Sequence, residues 1–172
     1  LVTDGVTSMA LAVEPAEEDL MKRPPRNLKE PILSSSTFGR MMLVSVVMAL
    51  GALFIFERFA SDLVYARSAT LTTLVFFQLF NLFNSRSATA SVFKINWFDN
   101  RWLLLMFGVA TTLQLGVLYW PSVSGVLGLT ALDLPTLALC LVVSLSIVLV
   151  DELRKLGRIM MLSWAKTQAV FN

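Results

Sequence analysis

The sequence predicts an all-α membrane protein: a helical bundle of four full transmembrane helices, preceded by the C-terminal half of another. Three observations predict it. Of the 172 residues, 56% are hydrophobic and 15% charged, where soluble domains carry about 25% charged residues; mean hydropathy is +0.71. The charges are confined, since residues 41–56, 68–85, 102–132 and 134–150 contain none. Lysine and arginine also gather on one side of such a bundle. With 14 Lys+Arg against 12 Asp+Glu, nothing marks a nucleic-acid binder. The absence of His and the single Cys140 exclude His-dependent catalysis, a cysteine-rich metal centre and an internal disulfide.

The first 13 residues, Leu1 to Val13, read as the end of a membrane helix. At about 1.5 Å per residue the stretch from Gly5 to Val13 covers roughly half a bilayer, which puts Asp4 near the midplane. An exposed amphipathic segment is the alternative. Residues 14–37 follow as an extended connector, with Pro15, Pro24, Pro25 and Pro31 opposing regular structure.

Four spans come next, at 38–59, 68–86, 101–120 and 133–152, each near the 17–25 residues a bilayer requires. Arg40 and Glu57 can snorkel from the ends of the first. The long charge-free stretch 102–132 is too long for one span, and Pro121, Gly125 and Gly128 break it into a helix and an outer loop. Trp97, Trp102, Tyr119 and Trp120 lie at span edges, where aromatic residues form interfacial belts. Residues 153–172 form a tail whose Ile159–Trp164 part resembles a basic helix at the interface; the charges at 151–158 read as a solvated run.

Four spans put both ends on one side. That side holds twelve of the basic residues (Lys22, Arg23, Arg26, Lys29, Arg40, Arg86, Lys94, Arg101, Arg154, Lys155, Arg158 and Lys166), and the other holds Arg58 and Arg67. The basic side is expected to be cytoplasmic. The compact connectors suit a multi-pass protein of a bacterial inner membrane.

Two places carry candidate chemistry. Asp4 is ionisable at membrane depth, a functional candidate by default. Gly5 beside it allows a helix to unwind and free carbonyls, and Thr3 adds a hydroxyl. These hard oxygen donors suit calcium, magnesium, sodium or potassium. In the second span Thr70, Thr73, Gln78, Asn81 and Asn84 share an arc of about 140° on a helical projection, opposite most of Phe76, Phe80 and Phe83. Asn81 and Asn84 read as interhelical hydrogen-bonders, whereas Gln78 sits deeper and can reach an ion. Gln114 in the third span reads as packing glue. In the last, Ser144 and Ser146 can bond back to their own helix, and Cys140 reads as a small apolar residue.

These residues carry a resemblance. Leu1-Val2-Thr3-Asp4-Gly5, Ala10-Leu11-Ala12-Val13-Glu14-Pro15, Asp19-Leu20-Met21-Lys22-Arg23-Pro24-Pro25-Arg26 and Lys29-Glu30-Pro31-Ile32 resemble the end of the sixth membrane helix, and the loop after it, in P-type cation-transporting ATPases, most of all the calcium-pump branch. Gln78 to Ser87 is similar to the eighth helix of that group, and Asp151-Glu152-Leu153-Arg154-Lys155 to the end of the tenth. The resemblance implies that the four spans are helices seven to ten of a ten-helix pump. It implies that Thr3, Asp4 and Gln78 lie at ion-binding positions, with calcium the transported ion. Gln78 stands where two-site calcium pumps have Glu, in keeping with the plasma-membrane type. No phosphorylation motif or nucleotide-binding domain is present, so no catalytic residue is assigned, and ATP and magnesium belong to missing domains. The partners implied are the lipid bilayer and the remainder of the same pump, helices one to six and the cytoplasmic domains. A pump for sodium, potassium or magnesium, or a stand-alone four-helix membrane scaffold, are the alternatives. A secondary-transporter half would need an inverted repeat, and the spans show none.

Overall fold

The protein, a computed structural model, is described over residues 35–86 and 100–171, with Gly5, Met9 and Ala12 also in helical conformation. Helix α1 runs Ser35–Arg58, α2 Leu63–Ser85, α3 Arg101–Tyr119, α4 Pro121–Leu127 and α5 Leu134–Phe171. Four of these are long and apolar enough to cross a membrane, at Thr37–Arg58, Leu63–Ser85, Arg101–Tyr119 and Leu134–Arg158.

Polar residues set the helix limits. Arg58 in the last turn of α1 complements the negative end of the helix dipole. A tight turn follows, with Asp62 N–H donating to the Phe59 carbonyl at 3.1 Å. Asp62 then caps α2, its carboxylate accepting from the backbone of Val64 at 3.0 Å and Tyr65 at 3.1 Å, so orphan N–H groups at the helix start are satisfied. This cap is why α2 begins at Leu63 and not at 68. Arg67, which bounds the charge-free stretch, lies exposed inside the helix. Asn100 caps α3 in the same way through Leu103 N–H at 2.9 Å.

Two further expectations are corrected. The break after α3 contains a helix: Pro121 takes the first position of α4, where its missing N–H costs nothing. Gly128 ends α4 at φ 63°, a left-handed conformation that favours glycine. The separate helix expected at Ile159–Trp164 is the uninterrupted continuation of α5 to Phe171.

The core sits around α2, which packs against α1, α3 and α5. Half of its apolar window is buried, against 6% for α1, 22% for α3 and 28% for α5. Ile55, Ala69, Val75, Phe76, Leu79, Ala110, Leu118 and Cys140 form the main cluster. Phe83 stacks edge-on to Phe107 at 5.3 Å between α2 and α3. Small residues, Ala66, Ser68, Ala69, Thr72 and Thr73, are fully buried along α2 and let its neighbours approach closely. The tightest approach is at Gly51, where an added Cβ would fall 2.6 Å and 2.7 Å from the Phe77 ring and 3.2 Å from Val143.

One end of the bundle is held by charge. Asp151 is 1% exposed. Its carboxylate meets Arg154 at 2.8 Å, Lys155 at 3.2 Å and, across the interface with α1, Arg40 at 3.5 Å. Arg40 also donates to the Asn84 carbonyl at 3.0 Å, one of the orphan acceptors at the end of α2. A single guanidinium thus joins α1, α2 and α5.

Two substitutions test this packing in thermal unfolding of the solubilised protein. Gly51→Ala forces the buried Phe77 ring aside and should destabilise by about 1–3 kcal/mol, with Phe77→Leu in the same background recovering part of the loss. Asp151→Asn removes the carboxylate charge shared by Arg40, Arg154 and the buried Lys155; removing one partner of a buried ion pair costs about 3–5 kcal/mol. Arg40→Ala should then cost less in the Asp151→Asn background than in the wild type, as expected for coupled partners.

Candidate ion site

The polar residues of α2 divide between two surroundings. One set is consumed by packing. Thr72 Oγ1 donates to the Ser68 carbonyl at 2.7 Å and accepts from Gln114 Nε2 at 3.1 Å, so Gln114 joins α3 to α2 as expected of it. Thr73 bonds back to Ala69 at 2.8 Å. Ser144 lies 2.7 Å from its own Cys140 carbonyl and 3.0 Å from the Thr73 carbonyl of α2. Asn84 Nδ2 donates to the Ile147 carbonyl at 3.2 Å, the interhelical bond its position implies. These groups are engaged with α5, α3 or their own helix, except Asn84 Oδ1, which is enclosed without a hydrogen-bond partner.

The other set is open. Gln78 and Asn81 are half-buried. They lie three residues apart, and so on adjoining positions of one helix face. Thr70 Oγ1 and Asn81 Oδ1 are enclosed, yet have no hydrogen-bond partner. Nor does any hydrogen bond tie the Gln78 amide among the described residues. Buried polar atoms are almost always paired, so an unpaired hydroxyl and amide oxygen on one helix face mark a surface prepared for a further group. The single inward polar arc is corrected here: Thr73 and Asn84 are buried, Gln78 and Asn81 lie at the margin, and Phe76, Phe77 and Phe83 are as buried as the threonines. With α2 packed against three helices, polar and aromatic sides both face protein.

Chemically this face offers neutral oxygens. Among the described residues no three His, Cys, Asp or Glu side chains come together as a metal site. The charged ligand read from the sequence, Asp4, and its neighbour Thr3 lie outside the described residues. Gly5 is in helical conformation.

Sequence reasoning missed Asp151, taken as part of a solvated run. Thr136, Cys140, Ser144, Ile147, Asp151 and Lys155 are all buried and recur every three or four residues, the spacing of one helix face. That register, continued past the last apolar residue, is the signal that carries Asp151 inward. Outside the spans, hydrogen bonds involving Thr136 and Tyr65 hold the Asp133 carboxyl below its ordinary range, because they favour its charged form.

Comparison with known proteins covers nearly all of the chain. The family described as "Cation transporting ATPase, C-terminus" matches residues 1–157. The human "Calcium-transporting ATPase type 2C member 1" is 33% identical over 160 residues, covering 90% of this chain and 17% of the human protein. "Calcium-transporting ATPase 1" of Saccharomyces cerevisiae is 32% identical over 160 residues, at 91% and 17% coverage. The rat "Calcium-transporting ATPase type 2C member 2" is 34% identical over 163 residues, again at 91% and 17%. The chain therefore spans about a sixth of the length of these relatives. With its four membrane-length helices in order, it belongs to the C-terminal membrane region of the P-type cation-transporting ATPases.

Proposed function

We propose that the chain forms helices seven to ten of an ATP-driven calcium pump, with residues 1–13 as the end of the sixth, and supplies part of the ion site. The observation that carries this reading is the match over residues 1–157, with relatives named calcium-transporting. Calcium is the substrate here, taken up by hard oxygen ligands. Asp4 is the charged ligand and Thr3 adds a neutral oxygen. Gln78 offers an amide oxygen from the open face of α2. The remaining ligands, together with the ATP- and magnesium-binding domains, belong to the rest of the pump. The unpaired oxygens of Thr70 and Asn81 support a partner of this kind, because a membrane offers no water to satisfy them.

The chemistry of release follows from Asp4. Burial away from water disfavours a charged carboxylate, and a bound cation compensates it. When calcium departs, the group takes a proton or leaves an uncompensated charge in the membrane. The twelve-to-two distribution of basic residues supports a cytoplasmic location for the Arg40–Asp151 end, and the short connectors suit a bacterial plasma membrane.

Asp4→Asn in the complete pump should abolish calcium-activated phosphorylation from ATP while the protein still inserts. Normal calcium-dependent phosphorylation of that variant would make Asp4 structural. Thr3→Ala should do less, because one neutral oxygen is lost and the backbone carbonyl remains.

Gln78 sets the charge count. A neutral amide cannot offset the dehydration of a second divalent ion as a carboxylate does, so the purified pump should bind one calcium at equilibrium. Gln78→Glu should change affinity or cooperativity without abolishing transport. Two ions bound by the wild type would defeat the single-site reading, and an unaltered binding curve in the variant would leave Gln78 outside the site.

A further inference from the structure

We infer that α4 is an interfacial helix: it lies in the headgroup and upper acyl-chain layer of the bilayer, at the end of the bundle that carries the α1–α2 turn. The inference concerns where the chain meets lipid. It holds for either orientation of the protein and for any transported ion.

The first ground is exposure without charge. Val126 is 87% exposed, Trp120 65% and Leu127 56%, and no charged residue occurs from 102 to 132. Large apolar side chains this open, with no charge among them, are disfavoured in water.

The second ground is depth. The connection after α4 does not rise away from the bundle. Thr130 N–H donates to Ser68 Oγ at 2.9 Å, and the Tyr119 hydroxyl donates to the Leu132 carbonyl at 2.7 Å. Ser68 lies five residues inside the first residue of α2, which at 1.5 Å per residue is about 7 Å below that helix end. The backbone that leaves α4 is therefore drawn down beside a membrane-spanning helix. Amphipathic interfacial helices bury their apolar side about 5–10 Å into the same boundary.

The third ground is backbone satisfaction. Val123 and Ser124 N–H both donate to the Trp120 carbonyl at 3.0 Å, and Leu129 N–H closes the other end on the Ser124 carbonyl at 2.8 Å. A short helix closed in this way can enter a water-poor layer, where unpaired backbone groups are costly. Trp120, the single residue between α3 and α4, is of the type that prefers this layer. Continuity favours lipid as the occupant: α4 directly extends α3, a helix of membrane-spanning length whose Leu105, Val109 and Leu113 form an exposed apolar side.

An environment-sensitive fluorescent amino acid placed at Val126 of the full-length protein, in phosphatidylcholine nanodiscs, tests this. Ser61, exposed in the α1–α2 turn, is the aqueous reference, and Val142, 65% exposed in mid-α5, is the lipid reference. A headgroup or shallow-chain nitroxide lipid should quench position 126 at least twofold more than position 61, and aqueous iodide should quench it severalfold less. The same probe at Leu127 should agree, which guards against a local effect at one site. Iodide quenching at 126 equal to that at 61 would make α4 a solvated loop. Protection from both quenchers would mean that protein covers it. Either result overturns the inference.

Discussion

The bundle depends on one constraint: α2 carries more polar groups than a membrane helix can keep unless its neighbours satisfy them. In hydrocarbon there is no water to take the place of a missing partner. The solution is a seam between α2 and α5. Cys140 Sγ and Ser144 Oγ reach back to the Ala69 and Thr73 carbonyls, and Asn84 crosses the other way to Ile147. Side chain to backbone contacts of this kind require small residues on both surfaces. That requirement explains the run Ala66, Ser68, Ala69, Thr72 and Thr73, and it brings α1 close enough that Gly51 touches Phe77.

The seam ends in the Asp151 cluster. A carboxylate that is 1% exposed would be costly alone, and pairing with three cations makes it tolerable. The geometry serves orientation more than affinity. Arg40 holds the Asn84 carbonyl as well as Asp151, so the end of α2 is fixed in height against both neighbours. Gln78 and Asn81 lie within two turns of that end, and their depth follows from it. The opposite end has its own fixture, in which the Tyr65 hydroxyl bonds the Asp133 carboxylate and Thr136.

Much of this was legible in the sequence. Charge-free stretches located the four spans, and the polar residues of 68–86 marked that span as one with protein-facing contacts. What was not legible depended on neighbours or on local caps. Asp62 extends α2 beyond Arg67 through two backbone bonds, which a charge count does not register. Pro121 reads as a breaker in isolation, yet it opens a helix because Trp120 precedes it in an extended conformation. Asp151 reads as solvated because it adjoins Glu152, Arg154 and Lys155, and only the register inherited from Cys140, Ser144 and Ile147 carries it inward. The open oxygens of Thr70 and Asn81 could not be separated from the engaged Thr73 hydroxyl and Asn84 amide nitrogen by angle alone. Which of them finds a partner is decided by where α3 and α5 pack. Asp4 and Thr3, read at the midplane from chain length, lie outside the described residues.

The seam also has a consequence for biosynthesis. Helix α2 has the lowest mean hydropathy of the four spans, 1.3 against 2.1, 1.7 and 2.3, and is the one least suited to partition into lipid alone. Ser144, its hydrogen-bond partner, follows Thr73 by 71 residues. At translation rates of about 5–20 residues per second, roughly 4–14 s separate the emergence of the two. Throughout that interval the hydroxyl and amide groups of α2 need another host, whether the insertion machinery, a membrane chaperone or α1 alone. Helix α5, made after α2, completes the environment of α2, so assembly of this region cannot proceed strictly in the order of synthesis.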